Sequence, residues 1–409
     1  MMTSEGAAVI EGEAAPGWEP VLDAFADAQA RDPGSAQLAV YQRGHLVVDT
    51  WTAAEGAGTR PFGPDSVGVL MSVTKGLAAV CVQMLSQNGE LDVADPVSRY
   101  WPEFARNGKA GTTVADLLTH SAGLPAFTGD PADAAGVDLL DWDACAARLA
   151  DARPMWRPGS AFHYHPLTYG HLVGEVVRRV TGSTVGSYFA AEVAAPLGLD
   201  LWIGLPPHED HRFVHQHHPG SPPTPAELTA ALHSVGLTPD DGLARSILAS
   251  MAELASVTSA FRSRQGRAAE IPAAGGIGNA RSLARLYAAL IGHVDGVRLL
   301  SPLTVERARA PRTDHLPAPA PLRRPAHTHP ARFGLGFELP RRGLPMLGEG
   351  SFGHAGAGGP LGMAHPESGL AVGYTCTEMT WDGSQGPDPR WIPWTRAIHR
   401  AAGLTTGLW

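Results

Sequence analysis

Strand-forming runs sit at the two ends of this 409-residue chain, and helix-forming runs fill its middle. Near the start, Leu38-Ala39-Val40-Tyr41 and Leu46-Val47-Val48 flank a turn at Arg43-Gly44, which predicts a hairpin over 37–51. A helix over 18–31 precedes it, with Val21, Leu22, Phe25 and Ala28 on one side. The strand pattern then returns at 333–339, 351–354, 361–365 and 370–377, the last two joined by a turn at Pro366-Glu367-Ser368-Gly369. A closing helix over 389–402 aligns Trp391, Trp394 and Ile398. Between these ends, 80–200 carries mostly helical spacing, with Leu172, Val173, Val176, Val177 and Val180 as its strongest stripe. The simplest architecture for this order is α+β: an antiparallel sheet from the N- and C-terminal segments, flanked by helices, with a mostly helical lobe inserted. The expected division is 17–75 with 271–409 as a discontinuous sheet lobe, 76–270 as the helical lobe and 1–16 as a flexible N-terminus. A pocket at the meeting of the lobes is the expected place for a site.

Composition narrows the function classes. The length suggests two or three lobes. With 44% hydrophobic and 17% charged residues the chain is globular, and a net charge of −9 gives no basic footprint for nucleic acid. Cys81, Cys145 and Cys376 are odd in number and widely spaced, so they form neither a disulfide framework nor a zinc site. Cys81 falls in an apolar helical run and reads as packing. Residues 1–16 carry Glu5, Glu11 and Glu13 and no apolar core of signal-peptide length, and no run of about 18 apolar residues occurs anywhere. The expectation is a cytoplasmic protein with no membrane partner. Residues 206–225 hold six prolines and His208, His211, His215, His217 and His218, which predicts a long surface loop. Their spacing matches no recognised ligand set, so no metal and no cofactor is expected. A second Pro/His/Arg-rich loop is expected over 311–330.

The chemistry-bearing stretch is Leu70-Met71-Ser72-Val73-Thr74-Lys75-Gly76, which opens a helix whose Leu77, Cys81, Met84 and Leu85 recur at helical spacing until Asn88-Gly89. A serine and a lysine three residues apart share a helix face. A lysine in a dry site loses part of its preference for charge and activates a neighbouring hydroxyl. Taken alone, the same four residues also describe a serine N-cap. Tyr164 follows a Pro158-Gly159 turn and precedes a strong helix, where its phenol would face the pocket as a base or sit in the core with its hydroxyl satisfied. Gly353-His354-Ala355-Gly356-Ala357-Gly358-Gly359 runs from a strand end into small residues, which let backbone approach a substrate. A free N–H there, with that of Ser72, would make an oxyanion hole.

These stretches together resemble the serine β-lactamase and penicillin-binding-protein superfamily, with most similarity to class C β-lactamases, family VIII carboxylesterases and related acyltransferases. Ser72 to Lys75 stands for the Ser-x-x-Lys motif, Tyr164-His165-Pro166 for Tyr-x-Asn, and His354-Ala355-Gly356 for Lys-Thr-Gly. Further matches run in the family's order: Leu91 to Pro96, Val114 to Leu124, Tyr169 to Gly174, and Val180-Thr181-Gly182 through Pro196-Leu197-Gly198. The resemblance covers roughly 20–400 and implies a β-lactamase-like fold. It implies that Ser72 is acylated, that Lys75 and Tyr164 share proton transfer with Tyr164 as the base, and that the N–H groups of Ser72 and Ala357 hold the oxyanion. It also implies substrate contacts at His354, Gly356, His165 and Trp156, and structural roles for Asp116 and His120. Pro166 replaces an asparagine amide, and His354 replaces a permanent cation. Both departures weaken recognition of β-lactams or D-Ala-D-Ala. No Gly-x-Ser-x-Gly elbow is present, so an α/β-hydrolase is not supported. The expected activity is an acyl-enzyme hydrolase of small esters or amides. The alternatives are an acyltransferase or peptide cyclase on the same fold, which adds an acyl acceptor as partner, and a catalytically silent binding protein.

Overall fold

The computed structural model describes residues 9–53, 62–134, 136–219, 223–322, 331–381 and 386–404. Strands β1 (Val9–Ala14), β2 (Ala36–Gln42) and β3 (His45–Ala53) come from the N-terminal segment. Three short strands follow: β4 (Gly68–Val69), β5 (Leu201–Ile203) and β6 (Gly276–Gly278). The C-terminal segment supplies β7 (Arg332–Phe333), β8 (Glu338–Leu339), β9 (Phe352–Ala355), β10 (Leu361–His365) and β11 (Leu370–Cys376). The main sheet has eight strands in the order β1-β3-β2-β11-β10-β9-β8-β7, with antiparallel neighbours throughout. The two chain ends meet where β2 pairs with β11, Val40 opposite Val372.

The α+β expectation therefore holds, and its physical reason is visible in the central strands. Both β2 and β11 are buried along nearly their whole length because helices cover both faces. On one face Tyr374 stacks on Trp394 of the closing helix Trp391–Ala401 at 5.6 Å. On the other, a Cβ at Gly373 would overlap the Ala280 carbonyl, so glycine lets the helix Ala280–Ile291 lie directly on the sheet. Alternation along one strand thus serves two helical layers.

Helix α1 spans Glu19–Gln29, and α2 spans Thr74–Gln87. Eleven of the 14 residues of α2 are buried, as expected of a helix that is apolar on all sides. All three cysteines are buried and free, and Cys81 Sγ lies 3.5 Å from the Leu77 carbonyl, so it packs. A smaller sheet, β4-β6-β5, ties the start of α2 to distant segments through Leu70 N–H, which donates to Gly276 O at 2.7 Å.

Three expectations are corrected. Residues 1–16 are not all a flexible tail: 9–14 form β1, registered on β3 with Ile10 opposite Thr52. Glu11, Gly12 and Glu13 hide the strand from an apolar pattern, yet an edge strand tolerates such charges. The single strand over 333–339 is a tight hairpin, β7 and β8, broken at Gly336 (φ +90°). Residues 206–225 are not one loop: 207–212 form a 3₁₀ turn, and Pro225 opens a capped helix to Ser234. The longest helix, Gly242–Ala260, also goes unpredicted, because Ala and Ser dilute its apolar stripe. Of the expected loop over 311–330, residues 323–330 lie outside the described residues, as do 220–222. No helix among the described residues is long and apolar enough to cross a membrane. Nor do His, Cys, Asp or Glu gather there in threes as a metal site would need.

Candidate active site

Ser72 sits in a 3₁₀ turn, Met71–Val73, that runs into α2. Met71 is held at φ +50°, which is strained for a non-glycine residue and throws the next side chain outward. Met71 and Val73 are buried, while Ser72 is partly exposed. The N-cap alternative fails, because the helix start takes no side-chain cap. Thr74 does the structural work instead: its Oγ1 donates to Met71 O at 2.5 Å and accepts from Gly276 N–H at 2.8 Å.

Lys75, one turn on, is completely buried. Its Nζ lies 3.1 Å from Ser72 Oγ, 2.8 Å from Pro166 O and 2.9 Å from Ala273 O. Burial drives its pKa well below the usual lysine range, against a smaller opposing pull from Glu338. The two carbonyls accept only, so each takes one N–H of the amine. The third position on nitrogen faces Ser72: as a lone pair in the neutral amine it accepts the hydroxyl proton, and as N–H in the ammonium it donates. The Pro166 carbonyl is available whatever side chain stands there, so this hold on Lys75 does not require an asparagine.

Tyr164 stands beside this pair, with Lys75 Nζ 4.8 Å from the centre of its ring. Burial pushes the phenol pKa upward. The loop carrying it is bracketed from behind. His165 N–H donates to His120 Nδ1 at 3.1 Å, His165 Nε2 accepts from Leu124 N–H at 3.0 Å, and His165 Nδ1 pairs with His163 O at 2.6 Å. His165 is therefore not a substrate contact: both ring nitrogens are spent on backbone, and burial lowers its pKa to about 3. His120, at φ +57°, is buried and stacks 4.8 Å from Tyr169. Trp156 donates its indole N–H to Ser121 O at 3.2 Å and packs edge-on against His163 and His165.

The Leu124 loop is held in turn by Glu253, whose Oε1 accepts from Phe127 N–H at 3.0 Å while Oε2 is buried without a partner. Burial raises the Glu253 pKa from 4.5 to about 8. The folded state then holds a proton that the unfolded state releases above about pH 4.5, so this group's contribution to stability declines as pH rises from 4.5 through 8. We expect the thermal midpoint of the wild type, followed by calorimetry, to fall across pH 5–8 more steeply than that of Glu253→Gln. Equal slopes would refute this assignment.

The third stretch ends β9 and turns over Gly356–Pro360. A Cβ at Gly356 would overlap the Leu70 carbonyl, so glycine permits the turn to press against the Ser72 strand end. Within the turn Gly356 N–H donates to Pro360 O, Gly358 N–H to Trp381 O and Gly359 N–H to Gly356 O, at 2.7, 2.8 and 3.0 Å. Ala357 N–H alone among them donates to no described group, and Ala357 is exposed. Ser72 N–H is likewise uncommitted. Gly356 is thus a spacer whose N–H is used, which leaves none for a substrate contact there. His354 is 2% exposed, its Nδ1 pairs with Ala355 O at 2.7 Å, and its Nε2 has no partner. Burial, helped by Lys75, lowers its pKa to about 3, so it is neutral and supplies no cation for a substrate carboxylate.

Sequence reasoning missed Glu338. Its Oε2 lies 3.9 Å from His354 Nδ1, and its Oε1 lies 3.3 Å from Arg341. Its stretch, Gly334-Leu335-Gly336-Phe337-Glu338, carries no signal that ties it to His354.

The beta-lactamase family model matches residues 22–392. The esterase/beta-lactamase LipL of Mycobacterium tuberculosis is 37% identical over 380 residues, covering 88% of this chain and 81% of that protein. A family VIII carboxylesterase of known crystal structure is 33% identical, with 96% of this chain and 100% of that chain aligned at a TM-score of 0.78. A penicillin-binding protein homolog from Caulobacter crescentus is 31% identical, with the same coverage and a TM-score of 0.77.

Proposed function

Since this chain belongs to the beta-lactamase family and is a serine hydrolase of carboxylesterase type, we propose that it cleaves small esters through an acyl-enzyme on Ser72. The observation that carries this reading is the arrangement at Lys75: a fully buried amine, fixed by two carbonyls, with its remaining position 3.1 Å from an accessible serine hydroxyl. Burial opposes both ammonium and phenolate, which shifts the amine towards its proton-accepting form and the phenol away from its own. This favours Lys75 over Tyr164 as the base, the reverse of the sequence expectation. Ser72 Oγ then attacks the ester carbonyl as its proton passes to Lys75 Nζ, and the oxyanion meets the N–H groups of Ser72 and Ala357. Tyr164 hands its proton to the departing alkoxide and regains one from Lys75. Water attacks the acyl-enzyme by the same steps in reverse roles.

Esters are favoured over β-lactams because neutral His354 and Pro166 leave no cation and no side-chain amide at two positions that would grip the drug. Intact-protein mass spectrometry after mixing with p-nitrophenyl acetate or butyrate tests the reading. The expected result is an acyl adduct on Ser72 that decays in water at a rate unaffected by added alcohols or amines. An adduct stable in water and discharged by one acceptor would make the chain an acyltransferase. Absence of any adduct would overturn the acyl-enzyme reading.

A further inference from the structure

The turn that carries Ala357 N–H is glycine on three of its positions, with Gly358 at φ +89° and Gly359 at φ +131°. Such a turn has few side chains to pack and is intrinsically soft. An oxyanion donor works only if it is fixed before charge develops. Something outside the turn must therefore hold it.

We propose that Arg390 is a positioning residue for the oxyanion hole, clamping the Gly356–Pro360 turn from the side opposite Ser72; the proposal rests on the reading of Ala357 N–H as an oxyanion donor. Arg390 directly precedes the closing helix Trp391–Ala401 and is 7% exposed. All five of its N–H groups are committed. Nη2 donates to Gly358 O at 2.6 Å and to Asp388 Oδ2 at 2.6 Å. Nη1 donates to Glu378 O at 2.7 Å and Asp32 Oδ2 at 2.8 Å, and Nε donates to Asp388 at 3.0 Å. The two carboxylates, 6% and 2% exposed, fix the plane of the guanidinium. The next residue adds a second tether, Trp391 Nε1 to Gly359 O at 3.0 Å. On the other side of the turn, Gly356 lies against Leu70 O and Met71. The loop bearing the donor is thus gripped between the nucleophile's own turn and one helix start, 32 residues away in sequence.

A lysine in place of Arg390 keeps the charge and cannot fork. The test compares Arg390→Lys with wild type and with Arg267→Lys, a matched loss at a second buried arginine that pairs with Asp210 away from this turn. Both variants are expected to melt earlier. Only Arg390→Lys is expected to lose kcat on p-nitrophenyl butyrate, by about tenfold to a hundredfold, as a displaced oxyanion donor costs less than a deleted one. KM should stay within about twofold, and the rate of labelling by a fluorophosphonate probe should fall in step with kcat. Folded Arg390→Lys with wild-type kcat, or an equal kcat loss in Arg267→Lys, would overturn the proposal. If Arg390→Lys does not fold, Trp391→Phe removes the second tether while keeping an aromatic ring in place, and kcat is then expected to fall about threefold to tenfold; an unchanged kcat would equally overturn it. Wild-type protein that fails to label at all speaks against the acyl-enzyme reading itself, whereas wild type and Arg390→Lys labelling alike speaks against this clamp alone.

Discussion

Ser72→Ala is expected to lower kcat by about 10⁶-fold, the loss seen when the nucleophile of another serine hydrolase is removed. The variant keeps its backbone N–H at position 72, the Ala357 N–H and the buried amine of Lys75, so the residual rate measures what the oxyanion donors and binding supply by themselves. The substitution removes one hydroxyl from a partly exposed side chain that caps no helix, so the stability change should stay within about 0.5 kcal/mol. Lys75 retains both carbonyl partners. Ester turnover, a thermal melt and intact mass after substrate addition form one experiment: activity gone, midpoint unchanged, no adduct. Turnover within tenfold of wild type in a correctly folded variant would remove Ser72 from the chemistry.

How much of this was legible beforehand depends on whether function rests on side chains or on backbone. Ser72, Lys75 and Tyr164 are side-chain chemistry at recognisable spacing, and the structure brings all three together. The sheet was legible because its strands alternate or run apolar between turn signals, except at β1, where charges on an edge conceal it. The partners that hold Lys75 were not legible, because the carbonyls of Pro166 and Ala273 leave no trace in residue type. His165 misled for a related reason. Its position in the motif suggests substrate contact, yet burial and backbone partners consume both nitrogens. Arg390 and Glu338 are charged residues far in sequence from the motifs they support, and pairing across such distances is set by tertiary packing alone. The Lys75–Tyr164 division of labour we propose also lay beyond the sequence, since it depends on how dry each group is.

That division yields the second large effect. Lys75→Ala is expected to cost about as much as loss of the nucleophile, on the order of 10⁵–10⁶-fold in kcat, because a base and its nucleophile act as one unit. Tyr164→Phe is expected to cost about 10²–10⁴-fold, the usual worth of one positioned proton donor. Lys75→Ala also strips Pro166 O and Ala273 O of their donor in a dry site, at about 1–3 kcal/mol for each unsatisfied group, so its folding must be checked by circular dichroism before its rate is read. The pH profile of acylation separates the two roles independently of size. Burial lowers the ammonium pKa of Lys75, so the active neutral amine gains population as pH rises, and the rate climbs through that lowered pKa and then levels. Burial raises the phenol pKa of Tyr164, so a phenolate base would keep the rate climbing into strongly alkaline solution without a plateau. With Lys75 as base, Tyr164→Phe keeps the wild-type rise and plateau at reduced height, since phenylalanine leaves the amine and its two carbonyls in place. A Tyr164→Phe enzyme that loses the rise altogether, while folded Lys75→Ala retains it, would return the role of base to the tyrosine.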